Sequence, residues 1–305
     1  MKKTFYSNGK LLITGEYLVL DGAKAFALPT KFGQNLNISE GQNQEFTWKS
    51  YDEDGTIWFE DTIAFSEIIN PITTAIPTLK STLITILHEA YAMQPTFITT
   101  SKGYQITTEL SFPKKWGLGT SSTLINNIAQ WLEIDAFELL KTSFGGSGYD
   151  IACAQNNNPI IYQLQKGKPK VENVNFHPDY TDTLYFVYLN KKQNSKTAIA
   201  NYQNNKATDL EKSIATINKI TTEVLQAKAV TTFGHALEKH EAEMSSILET
   251  TTVKETFFSD FNGQVKSLGA WGGDFVMVVS EVNPKTYFNS KGYNTILTYD
   301  EMILK

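Results

Sequence analysis

Three glycine-rich segments of the sequence carry residue types suited to phosphate chemistry. The clearest of them lies between a strand pattern and a helix pattern and reads Gly117, Leu118, Gly119, Thr120, Ser121 and Ser122. Glycines allow a tight turn with inward backbone N–H groups, and the hydroxyls can cap the following helix or contact a phosphate or a magnesium ion. A helix N-terminus with free N–H groups attracts phosphate. This segment is therefore a candidate phosphate-binding loop, although a turn followed by a simple helix cap has the same pattern.

The other two glycine-rich segments each contain an aspartate. Segment 144–150 ends in Asp150, just before a short apolar run. An aspartate in this position can act as a general base, as a magnesium ligand or as a helix N-cap. Segment 269–274 ends in Asp274 and leads into a very apolar strand pattern. Such a segment is either a flexible β-turn or a place where the backbone closely approaches another group.

Composition limits the classes of partner. The chain has 305 residues, 41% of them hydrophobic and 19% charged, which is typical of a globular protein of about two domains. A net charge of -5 argues against nucleic acid as the main partner, because binding to a phosphate backbone needs a concentrated basic surface. The sequence has no arginine, so all 27 basic residues are lysine. Anions must therefore be held by lysine, backbone N–H groups, hydroxyls or helix N-termini.

Cysteine content and apolar runs indicate the compartment. Cys153 is the single cysteine, so an intrachain disulfide is impossible and a reducing environment fits. The N-terminal residues lack the long apolar run of a signal peptide, and no stretch approaches the roughly 20 apolar residues of a spanning helix. We therefore expect a cytoplasmic protein that does not bind membranes.

Apolar periodicity predicts a mixed order of strands and helices, which favours an α+β fold. The helix patterns cover residues 77–93, 121–134, 209–228 and 231–248. The main strand patterns cover residues 32–38, 45–51, 104–111, 184–189, 275–279 and 295–298. A polar stretch at 166–178 with two prolines predicts a domain boundary.

Three motifs together resemble those of the GHMP kinases, the superfamily of galactokinase, homoserine kinase, mevalonate kinase and phosphomevalonate kinase. Residues 9–20, Gly-Lys-Leu-Leu-Ile-Thr-Gly-Glu-Tyr-Leu-Val-Leu, are similar to the first motif, and residues 113–123 to the loop that wraps the ATP phosphates. Residues 269–274 are similar to the third motif. The three motifs occur in the same order as in the family and extend across most of the chain. The first motif is most similar to that of the mevalonate and phosphomevalonate kinases.

The resemblance implies a two-domain α+β fold and a dependence on ATP and Mg²⁺. The expected domains are an ATP-binding domain at 1–170, resembling ribosomal protein S5, and a ferredoxin-like domain at 171–305. The implied reaction transfers the γ-phosphate of ATP to a hydroxyl or phosphate of a small metabolite, with mevalonate or phosphomevalonate as the expected acceptor. No nucleic acid or membrane partner is implied, and the expected assembly is a monomer or a homodimer.

Site residues follow from the matched positions. Asp150 matches the aspartate that orients or deprotonates the acceptor, and Lys10 the lysine that stabilises developing charge. The loop Gly117 to Ser122 binds the ATP phosphates. Ser121 matches a serine that binds magnesium in mevalonate kinase, and Glu138 is the nearest candidate for the glutamate that completes the magnesium site there. The implied acceptor-binding residues are Glu16, Lys196, Gly269 and Ala270.

Some positions depart from the family pattern. Trp271 stands where the third motif normally has a glycine, and the interval from Ser121 to Asp150 is shorter than usual. His240 and Glu241 lie in the helix pattern 231–248, where we expect a surface or helix-capping role rather than contact with the acceptor. Two alternatives stay open: a nucleotide-binding regulatory module without kinase activity, and a kinase that acts on a sugar.

Overall fold

The computed structural model describes residues 2–72 and 76–305. By their internal contacts these residues form two compact units, each built from several chain segments. The first unit comprises the chain up to Gly9 together with Phe32–Lys114 and Leu118–Gln155, and the second comprises Lys10–Lys31, Lys115–Gly117 and Asn156–Lys305. The units thus interleave along the chain, whereas the single domain boundary at residue 170 stays a prediction.

The first unit contains a mixed sheet. Two long strands, β1 (Lys3–Thr14) and β2 (Ala25–Glu40), contribute residues to both units. The remaining strands of the first unit are β3 (Glu45–Tyr51), β4 (Ile57–Ala64) and β5 (Tyr104–Leu110). Their order is β4-β3-β5-β2, in which β3 runs parallel to β5 and the other neighbours are antiparallel.

Helices of the first unit share a hydrophobic core with this sheet. They are α1 (Phe65–Ile69), α2 (Leu79–Met93), α3 (Thr96–Thr99), α4 (Thr120–Leu132), α5 (Ala136–Ser143) and α6 (Tyr149–Gln155). Burial of every second residue along β3 places Phe46 and Trp48 in the core, as expected for a strand with one covered face. Helix α4 packs against both α5 and α6.

The second unit contains a four-stranded antiparallel sheet of order β11-β8-β10-β9. Its strands are β8 (Leu184–Tyr188), β9 (Gln264–Ser267), β10 (Phe275–Val279) and β11 (Ile296–Thr298). Two further strands, β6 (Ile160–Gln165) and β7 (Lys168–Asn173), form a hairpin in which β6 pairs with the beginning of β2.

Helices of the second unit include two long ones that pack against each other, the second of which also packs against β9. The helices are α7 (Ser195–Asn205), α8 (Glu211–Gln226), α9 (Val230–Leu248), α10 (Val253–Phe257), α11 (Lys285–Ser290) and α12 (Tyr299–Met302). In the two described ranges, 2–72 and 76–305, no helix combines the length and apolar character needed to cross a membrane.

Agreement between predicted and observed elements is closest where the apolar pattern is strong. The strands predicted at 45–51 and 275–279 have those bounds, and the helix predicted to begin at residue 121 begins at Thr120. The polar stretch at 166–178 instead contains β7, whose side chains are almost all exposed. An exposed strand of a hairpin gains its hydrogen bonds without burying side chains, so it leaves little hydrophobic pattern in the sequence.

Candidate active site

Helix α4 in the first unit begins without a side-chain cap. Its N-cap is Gly119, which adopts the left-handed conformation with φ of 106°. The hydroxyls of Ser122 and Thr123 lie 2.9 and 3.0 Å from the carbonyl oxygen of Gly119. No side chain caps this helix start, contrary to the hydroxyl cap that the sequence suggested. A helix start whose N-cap residue offers no side-chain acceptor suits an anion, because the first N–H groups lack partners within the helix.

Asp150 is the second residue of α6, inside its first turn, and its side chain is partly buried. This position excludes the helix N-cap role considered above. Helix α6 packs against α4, where the Gln155 amide donates to the Asn126 side chain at 3.0 Å. Positive φ angles at Gly146 and Gly148 form the turn that leads into α6.

The two predicted magnesium ligands differ in their surroundings. Ser121 is exposed in the first turn of α4, a position from which a hydroxyl could contribute to a metal held mainly by nucleotide phosphates. Glu138 is exposed on α5 and its carboxylate lies 3.4 Å from Lys141. Among residues 2–72 and 76–305, no cluster of three or more His, Cys, Asp or Glu residues could hold a metal ion. Glu138 as a ligand therefore stays a prediction from the family resemblance alone.

Lys10, Gly117 and Asp274 meet in the second unit. The Lys10 ammonium donates to the carbonyl oxygen of Gly117 at 3.1 Å. A β-carbon on Gly117 would lie 2.3 Å from a carboxylate oxygen of Asp274, so only glycine fits there. Burial raises the pKa of Asp274, while the charges of Lys10 and Lys192 and the N–H of Gln193 act in the opposite direction. The third glycine segment thus contacts the beginning of the phosphate loop.

Asp274 holds the third segment to the chain after β8. It is one of the few non-glycine residues with a positive φ, 51°. Its N–H donates to the Lys191 carbonyl at 2.7 Å, and its carboxylate accepts the N–H of Gln193 at 3.1 Å. The Gln193 side chain in turn donates to the carbonyl of Trp271 at 3.1 Å. Asp274 therefore organises this segment rather than merely completing a turn.

Trp271 is fixed through both its backbone and its ring. Its N–H donates to the Tyr17 hydroxyl at 3.0 Å, and its indole N–H donates to the carbonyl of Thr251 at 3.2 Å. Tyr17 belongs to the first motif, so the first and third motifs are in direct contact within the second unit. Trp271 is therefore held by hydrogen bonds at both its backbone and its indole ring.

Residues predicted to bind the acceptor have unequal exposure. Lys196 is exposed in the first turn of α7, a few residues after Gln193. Gly269 has a φ of 73°, and Ala270 is buried. Glu16 is enclosed by protein, so a direct contact with an acceptor would require the surrounding cluster to open.

That cluster consists of four buried titratable side chains. Glu16 lies 2.5 Å from the Lys266 ammonium, which is also 3.3 Å from Glu241. The Nε2 atom of His240 accepts the N–H of Gly15 at 3.0 Å. Burial raises the pKa of Glu16 to about 7 despite the opposing charge of Lys266. The expectation of a surface or capping role for His240 and Glu241 is wrong, because both face the interior from α9.

Burial lowers the pKa of His240 well below its ordinary value, and the Lys266 charge adds to this effect. The imidazole is therefore neutral, which agrees with Nε2 as an acceptor. Tyr17, Gln193 and Lys266 were missed by reasoning from sequence. Lys266 lies in the strand Gln264–Ser267, whose mostly polar residue types give no sign that its side chain is buried.

Similarity of this chain to known proteins is found by comparing structures. No protein-family model matches the sequence, and no curated protein matches it either. Mevalonate kinase from Methanococcus jannaschii superposes with a TM-score of 0.69 at 16% identity, covering 100% of this chain and 99% of that one. Galactokinase from Lactococcus lactis, in complex with galactose, has a TM-score of 0.72 at 14% identity and coverages of 99% and 93%.

A third structure is the phosphomevalonate kinase of Streptococcus pneumoniae in complex with phosphomevalonate and AMPPNP. It has a TM-score of 0.68 at 15% identity and covers 95% of each chain. All three neighbours are GHMP kinases. The chain has the GHMP kinase fold. The two-domain α+β architecture predicted from the resemblance is thereby confirmed.

Proposed function

We propose that this chain is an ATP-dependent small-molecule kinase. The observation that carries the proposal is the start of α4, where Gly119 offers no side-chain cap and leaves the first N–H groups to a phosphate. Lys10 supports the same proposal, because its ammonium donates to the carbonyl of Gly117 at the beginning of the loop 117–122. Without arginine, backbone N–H groups and lysine are the groups that can neutralise the triphosphate.

The proposed roles follow from what phosphoryl transfer requires. The reaction depends mainly on positioning and on neutralising charge on the transferred group. Asp150 would accept or orient the proton of the acceptor hydroxyl, and Lys10 would stabilise negative charge that develops during transfer. Ser121 would contribute a hydroxyl to Mg²⁺, which would supply positive charge to neutralise the phosphates. Glu138 is the second proposed ligand.

For the acceptor we propose a small metabolite with a hydroxyl or phosphate, with mevalonate or phosphomevalonate as first candidates. The exposed ammonium of Lys196 could pair with a carboxylate or phosphate of such a molecule. Gly269 and Ala270 would provide backbone contacts. A sugar acceptor is the alternative, because galactokinase has the same fold.

Turnover assays test this proposal. ADP release is measured with mevalonate, phosphomevalonate, homoserine and galactose, for the wild type, for Asp150→Ala and for Asp260→Asn. Asp260 is exposed and pairs with Lys291, so its variant controls for loss of an acidic side chain elsewhere. We expect turnover with one acceptor that is lost in Asp150→Ala and kept in Asp260→Asn. ATP binding without turnover for any acceptor would instead favour the regulatory module.

A further inference from the structure

Lys266 and Glu16 form an ion pair in the interior of the second unit. The two side chains are separated by 250 residues in sequence, and each residue is at most 1% exposed. Burying charges is unfavourable unless partners compensate, and such pairs often contribute little net stability. A buried pair in this position therefore suggests a specific geometric role.

The pair lies next to a turn with a demanding backbone conformation. Tyr17 has a φ of 59°, and a β-carbon on Gly15 would lie 2.5 Å from the Lys24 carbonyl. A non-glycine residue keeps a positive φ only when its surroundings impose it. Glu16 lies between these two residues, held by Lys266, and His240 accepts the N–H of Gly15. The buried cluster thus fixes the turn 15–17.

The turn and the third glycine segment are connected twice. Lys266 is on β9, which ends at Ser267 immediately before that segment. The Tyr17 hydroxyl accepts the N–H of Trp271 inside the segment. At its far end, Asp274 contacts Gly117 and interacts with the charge of Lys10. A shift of the turn would therefore move the segment that touches the phosphate loop.

We propose that Lys266, acting through Glu16, is a positioning residue for the third glycine segment. The pair holds turn 15–17 so that the Tyr17 hydroxyl engages Trp271 and Asp274 stays against Gly117. The expected loss of turnover on disrupting the pair rests on the proposed kinase function. The expected loosening of segment 269–274 does not depend on that function. A pair with only a structural role would affect stability and leave segment 269–274 of the folded protein unchanged.

The test uses the double variant Glu16→Gln/Lys266→Met, which removes both charges at similar side-chain size. Hydrogen exchange of peptides covering 269–274 is measured by mass spectrometry, alongside kcat and the KM for ATP. We expect faster exchange of that segment and a kcat lower by about tenfold to hundredfold, because small misplacements are that costly to transfer. The KM for ATP should stay close to that of the wild type.

Tyr17→Phe provides a second route, since it removes the acceptor for the Trp271 N–H and keeps all charges. It should also speed exchange at residues of 269–274 other than Trp271, whose own N–H loses its partner directly. If the double variant does not fold, wild-type exchange at those other residues overturns the proposed link between turn 15–17 and the segment. Lys291→Met breaks an exposed pair in the same unit and is the control. Wild-type exchange of 269–274 in the folded variants, or an unchanged kcat despite faster exchange, would overturn the proposal. If even the wild type shows no turnover, the kinase function fails while the exchange results still judge the positioning role.

Discussion

The ammonium nitrogen of Lys10 lies 3.1 Å from the carbonyl oxygen of Gly117, which joins the first motif to the phosphate loop across 107 residues of sequence. On the other side of Gly117, the carboxylate of Asp274 occupies the space that a side chain would need. Residues of the three segments 9–20, 113–123 and 269–274 thus meet at one glycine of the second unit. This glycine gives the most direct test of the site's packing.

Gly117→Ala should destabilise the protein and reduce activity. The added β-carbon would lie 2.3 Å from Asp274 at a φ of 72°, so backbone or carboxylate must shift. We expect a loss of about 1–3 kcal/mol in the free energy of unfolding. Gly167→Ala is the matched control, because Gly167 has a φ of 75° and nothing within 4 Å of an added β-carbon. Urea denaturation compares the two, and equal losses would show that the contact with Asp274 is unimportant.

Lys10→Met should lower kcat while preserving the fold. Removing the ammonium leaves the Gly117 carbonyl without this donor and removes positive charge from the proposed transfer site. Loss of one such electrostatic contact costs about a hundredfold to a thousandfold in kcat. The exposed Lys31, changed to Met, serves as the control. Steady-state kinetics on both variants, with circular dichroism to confirm folding, checks this; a Lys10→Met enzyme with wild-type kcat would rule out the role.

The magnesium residues can be tested one at a time. Ser121→Ala should raise the Mg²⁺ concentration needed for half-maximal activity by about tenfold, because a hydroxyl ligand is lost. Glu138→Gln should have a smaller effect, since the carboxylate is exposed and already paired with Lys141. Mg²⁺ titrations of turnover measure both variants. A larger effect for Glu138→Gln would show that Glu138 leaves Lys141 to bind the metal.

Glu16 should make stability depend on pH. Its pKa is raised by burial to about 7 from an ordinary value of 4.5, so between these pH values the folded state binds more protons than the unfolded state. Linkage then requires that its contribution be greatest below the unfolded pKa and decline as pH rises to about 7. Glu241, whose pKa burial also raises, acts in the same direction, and neutral His240 acts in the opposite one.

Glu16→Gln isolates this contribution. The free energy of unfolding of the wild type minus that of the variant should fall by an amount on the order of 1–3 kcal/mol between about pH 5 and about pH 8. Guanidinium denaturation at both pH values measures the difference. A difference that is constant with pH, or that grows, would mean that Glu16 is ionised in the folded protein throughout this range.

Local patterns in the sequence predict the elements well. Helix α4 and strand β10 follow from apolar periodicity, and the glycines at 117 and 119 indicate the turn before the helix. The turn before α4 could therefore be located from sequence, whereas its role as a phosphate-binding loop stays a prediction. The predicted hydroxyl cap was wrong because the N-cap residue is Gly119, which has no side chain, and the hydroxyl residues that follow it lie inside the helix.

Long-range contacts could not be predicted in the same way. Glu16 and Lys266 are 250 residues apart in sequence. The local pattern around either residue does not predict that the two side chains are in contact. Likewise, His240 and Glu241 are polar residues on a long helix, and only the packing of α9 against β9 shows that they face the interior. Burial of charge depends on tertiary structure, which a periodicity argument does not contain.

The central claim is that this chain transfers the γ-phosphate of ATP to a small acceptor. Phosphorus NMR of a reaction containing ATP, Mg²⁺ and each candidate acceptor tests it most directly, because it detects both ADP and the phosphorylated product. We predict that a new phosphate resonance on mevalonate, phosphomevalonate or a sugar appears with the wild type and is absent with Asp150→Ala. Bound but unconsumed ATP with every acceptor, or product formation that Asp150→Ala leaves unchanged, would contradict the account.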